Sequence, residues 1–152
     1  METRTVGRRS TLLSLALPAL LGACSSLAPH ETSLPDGAVE VAAPQVYREW
    51  FQRTEACSRL SGEFSTVKFY VVPGVETFST VAGQKVGQWI EDGSGSRLII
   101  AGNYQNHEMV VRHEMLHALL HREGHPSDYF VSKCQLTWES WNGANGTAIA
   151  GL

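Results

Sequence analysis

The sequence predicts an α+β fold in which a small, mostly antiparallel sheet packs on two helices. Three observations carry this expectation. Apolar residues recur at helical spacing over residues 44–60, and again from Val110 to Leu120. Between them lie short β-branched and aromatic runs punctuated by glycine and proline. With 152 residues, 43% of them hydrophobic and 18% charged, the chain has the size and composition of one modest domain.

The elements follow in order. Val46, Tyr47, Trp50, Phe51, Ala56 and Leu60 give the first helix its apolar side, with Pro44 at its first turn and Ser61-Gly62 ending it. Residues 66–72 (TVKFYVV) read as a strand that stops at Pro73-Gly74. Two shorter strands follow, residues 85–91 with Trp89 and Ile90, and residues 97–101 with Leu98, Ile99 and Ile100. The DGSGS sequence at 92–96 between them has the composition of a hairpin turn. Asn106 is placed to cap the second helix, Glu108 suits the positive end of its dipole, and Gly124 and Pro126 close its other end. Val110, Val111, Leu116, Leu119 and Leu120 make its core side. A shorter helix is expected over residues 127–136, and the Gly/Asn-rich residues 142–152 read as a disordered tail.

The first residues stand apart from this domain. Arg4, Arg8 and Arg9 precede an apolar run at 11–21 that is too short to span a bilayer, which is the pattern of a signal peptide over residues 1–23. Its end, Leu21-Gly22-Ala23-Cys24, resembles a bacterial lipobox. The resemblance implies that Cys24 is lipidated and that the protein is a lipoprotein of the cell envelope, held to the membrane by its N-terminal lipid. Residues 24–43, rich in Ser, Ala and Pro, read as a flexible tether, leaving residues 44–141 as the folded domain. Without residues 1–23 the chain keeps 9 Lys+Arg against 14 Asp+Glu, so no basic surface points to nucleic acid. Export also bears on Cys57 and Cys134, for which a disulfide is the expected state, with two buried free thiols, or Cys134 as a metal ligand, the alternatives.

Residues 113–117 read His-Glu-Met-Leu-His. On a helix, positions i and i+4 share a face, so His113 and His117 can offer ring nitrogens to one ion, with Glu114 beside them as a general base. A catalytic zinc needs a third protein ligand and an open position for water. His121 is eight residues from His113, about 12 Å along a helix, too far for one ion to bridge. His107 lies more than a turn before His113 and fails in the same way. His125 follows Gly124, where the chain can leave the helix and swing back, and is the first candidate. Asp128 is the second, as a ligand or as a residue orienting His125, and Glu123 the third. Tyr129 and Tyr104 are candidate oxyanion donors.

Residues 113–130 (HEMLHALLHREGHPSDYF) resemble the zincin metallopeptidases, and most closely the small SprT-like or minigluzincin-type domains. The metzincin pattern does not fit, because its glycine and third histidine would fall at Leu120 and Glu123. The resemblance implies zinc on His113, His117 and His125, Glu114 as general base, and a sheet packed on the active-site helix. It further implies an edge strand that aligns the substrate backbone, expected at residues 98–101. The function expected is that of an envelope-anchored zinc metalloendopeptidase acting on peptide or protein substrates. The alternative is a metal-binding or structural lipoprotein that cleaves nothing.

Overall fold

The computed structural model describes residues 33–141; the signal segment 1–23, Cys24 and the tail 142–152 lie outside them. The fold is α+β, as expected. A four-stranded sheet has the order β1-β2-β6-β5, formed by β1 (Val39–Val41), β2 (Lys68–Val72), β6 (Gly95–Ala101) and β5 (Gly87–Asp92). The β1–β2 and β5–β6 pairs are antiparallel and the β2–β6 pair is parallel. A separate hairpin joins β3 (Phe78–Thr80) to β4 (Gly83–Lys85).

Helix α1 (Gln45–Ser58) starts after Pro44 and ends at Arg59, whose φ of 60° reverses the chain before Ser61-Gly62 is reached. It buries Tyr47, Trp50, Phe51, Thr54 and Ser58. Ala56, read as part of the apolar side, is exposed. The two buried hydroxyls are satisfied within the helix: Thr54 donates to the Trp50 carbonyl and Ser58 to that of Thr54. Helix α2 (Glu108–Leu120) is buried on nearly every side, from Glu108 to Leu119 apart from His113. It packs on α1, β5 and β6. The fully buried Arg112 ties the two helices together, donating to Glu108 at 3.0 Å and to Thr54 at 3.2 Å, so its charge is paired where water cannot reach it.

Side chains alternate along the sheet. Phe69, Trp89, Leu98 and Ile100 face the helices, while Tyr70, Val72, Ile90, Ile99 and Ala101 face a second cluster closed by Phe78 of β3. Several expectations are corrected. Residues 39–41, assigned to the tether, are a strand whose Glu40 accepts a hydrogen bond from Tyr70, so the folded unit begins before residue 44. The hairpin β3–β4 has no counterpart in the expected elements. Residues 98–101 belong to β6, which is interior, and β5 takes the edge position beside the helix. Helix α2 begins one residue later than Asn106 implies, with His107 as its cap, and ends before Gly124. The final helix is a six-residue π-helical segment, Asp128–Lys133. Among the described residues no helix is long and apolar enough to cross a membrane.

Candidate metal centre

His113 and His117 stand one turn apart on α2 and point to the same side. The helix stops at His121, which takes a left-handed conformation at φ 49°, and Gly124 makes a second left-handed turn at φ 82°. These two reversals bring His125 back over the helix face. Its Nε2 lies 2.9 Å from Nε2 of His113 and 3.3 Å from Nε2 of His117. The three residues form a group that can hold a metal ion, with all ligand atoms within 4.8 Å of one another.

The far side of each helix ring is fixed. Nδ1 of His113 donates to the Leu136 carbonyl at 2.6 Å, and Nδ1 of His117 to the Arg122 carbonyl at 3.0 Å. A carbonyl can only accept, so Nδ1 carries the proton and Nε2 presents its lone pair to the cluster. His125 brings a third ring nitrogen, its Nε2, against these two lone pairs. Protons are disfavoured here: burial pushes the His113 pKa down to about 4 and that of His117 down to about 3, and burial also lowers His125. The arrangement can hold a metal ion. Phe130, fully buried, packs against all three rings at centroid distances of 4.8, 4.8 and 4.9 Å and forms an apolar floor.

Glu114 belongs to the site without belonging to the cluster. It is buried, and burial raises its pKa to about 8, partly offset by the charge of Lys85 and a backbone hydrogen bond from Trp89 of β5. Gly87 makes room for it: a Cβ at that position would lie 2.7 Å from Oε1 of Glu114. Trp89 stacks on the His117 ring at 13° between planes. Edge strand β5 thus meets both the carboxylate and a histidine. A cleft of about 620 Å³ opens between residues 81–89 and α2, with Glu123 and His125 on one rim and Thr137, Trp138 and Glu139 on another.

The other sequence candidates lie elsewhere. Asp128 is outside the cluster and forms an ion pair with Lys133 at 2.7 Å. Tyr129 does not line the cleft, and its ring lies under the Lys133 ammonium at 4.2 Å; Tyr104 does not line it either. His121 is exposed and paired with Glu91 at 2.8 Å, and His107 packs on Tyr104 and Trp138. Glu123 lines the cleft but contributes nothing to the cluster. Cys134 is not a ligand. It is bonded to Cys57, as the exported-protein expectation requires, and the bond joins the end of α1 to the segment that carries Leu136. Sequence reasoning missed Gly87, Trp89 as a site residue, and Lys85. A glycine inside a strand was the one available signal, since it marks close approach of a neighbour.

No protein-family model, curated protein or solved structure matches this chain.

Proposed function

We propose that the chain is a zinc-dependent metalloendopeptidase of the zincin type, held at the bacterial cell envelope as a lipoprotein through Cys24, with peptide or protein substrates. One observation carries the reading: three histidine nitrogens converge at a cleft where a separate buried carboxylate, Glu114, is free of the ligand group. Zinc fits this donor set. Three neutral imidazoles leave one position of a tetrahedron open, and bonds of about 2.0–2.1 Å set ligand nitrogens roughly 3.3 Å apart, close to the separations around His125. When bound, zinc would supply the Lewis acid that brings a water toward ionisation at neutral pH and polarises a carbonyl.

The chain's own groups do the rest. Glu114, buried beside the ligand group but outside it, accepts the proton of the attacking water and then delivers it to the departing amine. The backbone N–H of Trp89 and the bare backbone at Gly87 hold that carboxylate in one place. Leu136 and Arg122 hold the rings of His113 and His117. Phe130 and Trp89 keep the cluster dry on its inner side. Strand β5, at the sheet edge along the cleft, offers backbone groups for an extended substrate to pair with. The exposed Val81 and Trp138 flank that path with apolar surface suited to unfolded chains.

The test is metal-dependent cleavage. The purified chain from Cys24 onward, loaded with zinc, is expected to cleave an unfolded protein, to stop on chelation and to recover when zinc is returned. Cleavage indifferent to the chelator, or none at all with zinc bound, would remove the proposal.

A further inference from the structure

Apolar residues line the cleft beside the metal ligands. Met109 and Val110 stand one turn before His113 on the same face of α2, and Val81 belongs to the turn of the β3–β4 hairpin. Trp138 lines the same cleft, and the fold leaves it largely uncovered. It is 58% exposed, the only aromatic among the large exposed apolar side chains of the described residues, whereas Trp50 and Trp89 are buried.

Exposure alone means little, since single apolar side chains are common on surfaces. This ring, however, is held in place. Its edge contacts are with Tyr104 at a centroid distance of 6.2 Å and with His107 at 5.5 Å, at interplanar angles of 72° and 62°. Tyr104 and His107 also pack on one another at 5.9 Å. His107 keeps this position although its Nδ1 is buried without a hydrogen-bond partner. The backbone beneath Trp138 is fixed as well. Thr137 N–H donates to Ser140 Oγ at 3.2 Å, Ser140 N–H donates to Thr137 Oγ1 at 3.1 Å, and Trp141 N–H donates to the Thr137 carbonyl at 2.9 Å. Two residues before Trp138, the Leu136 carbonyl orients His113. The indole is therefore braced from behind, close in the chain to a ligand anchor, with its open surface in the cleft. That surface contributes nothing to folding and becomes favourable only when an apolar group covers it.

We propose that Trp138 is the specificity-determining residue of the cleft, receiving a large apolar side chain of the substrate, aromatic before aliphatic, beside the bond that is cut. This rests on the peptidase reading and adds a substrate class to it. Such a side chain leaves water for a cleft lined by indole, Met109, Val110 and Val81. An aromatic one gains further from ring-to-ring contact.

The experiment uses two soluble, unstructured peptides, identical except for a central Phe or Ala, with the cut mapped by mass spectrometry. Zinc-loaded wild type, Trp138→Ala and Trp138→Phe are compared. Wild type is expected to cut beside the central residue and to favour the Phe peptide at least about tenfold in kcat/KM. Trp138→Ala should reduce that preference below about threefold, cleave the Ala peptide within about twofold of wild type, and keep wild-type zinc affinity and thermal stability. Trp138→Phe should retain most of the preference. No preference in wild type, or the same preference in Trp138→Ala, overturns the assignment. So does an equal loss on both peptides, which would make Trp138 a support for His113 rather than a selector. If wild type cleaves neither peptide, the peptidase reading fails, and calorimetric titration with the same two peptides decides the rest. Tighter binding of the Phe peptide that disappears in Trp138→Ala then keeps Trp138 as an apolar side-chain site, and equal binding of both peptides overturns that too.

Discussion

Removing the Cys57–Cys134 bond should weaken both the fold and the metal centre. The bond closes a loop of 77 residues and joins the end of α1 to the segment just past the π-helical turn. In the chain-entropy picture, releasing a loop of that length costs about 4–5 kcal/mol of stability. For a domain of this size that is a large share of the total of about 5–15 kcal/mol. There is also a local consequence. Leu136, two residues beyond the fully buried Cys134, accepts the hydrogen bond that orients His113. Loosening it should lower metal affinity about 10–100-fold, as loss of an outer partner of a histidine ligand does. The assay is urea unfolding of metal-free wild type and of the Cys57→Ser/Cys134→Ser double variant, followed by zinc titration of each under conditions where both are folded. A stability loss under about 1 kcal/mol would refute the cross-link argument. Unchanged zinc affinity in a destabilised variant would refute the connection through Leu136.

Other expectations concern single residues. His125→Ala should lose at least about a hundredfold in zinc affinity, whereas Asp128→Ala, outside the cluster, should bind zinc as wild type does; the reverse result in a metal titration would move the third ligand. Gly87→Ala should push the Glu114 carboxylate aside, leaving fold and zinc binding intact but slowing hydrolysis at least about tenfold. The pH dependence of the metal-free protein has two opposed arms. His113 and His117 titrate at about 4 and about 3, below the free value of 6.5, so the stability they confer is present above pH 6.5 and is lost as pH falls through those values. Glu114 titrates at about 8, above its free value of 4.5, so its contribution is complete below pH 4.5 and is lost as pH rises through 8. Glu114→Gln removes the second arm, and metal-free stability at pH 7 should rise by on the order of 2 kcal/mol; denaturant curves at pH 5 and 7 would show whether it does.

Much of the arrangement is legible in the residues themselves, because local patterns determine it. The apolar spacing of α1 and the β-branched runs of β2 and β6 are local signals, as is the Gly124 turn that returns His125 to His113 and His117. What escapes is tertiary. A three-residue strand such as Val39–Val41 or Gly83–Lys85 is too short to show a period, and each is a strand only because a partner is in place. The parallel pairing of β2 with β6 across the intervening hairpin decides which strand is at the edge, so the edge position falls to β5 and not to residues 98–101. Tyr129 follows the histidines in sequence, yet the π-helical segment carries its ring toward Lys133 and away from the cleft. The meeting of Lys85 and Gly87 with Glu114 depends on a hairpin and an edge strand that helical spacing around residues 113–117 does not register.

The central claim is that Glu114 moves a proton for a metal held by His113, His117 and His125. The most direct measurement is the rate of peptide hydrolysis by wild type and Glu114→Gln at equal, verified zinc occupancy. Glu114→Gln should retain its zinc and lose at least about a hundredfold in rate, the usual scale of losing a general base. Equal rates in the two zinc-loaded proteins would contradict the account.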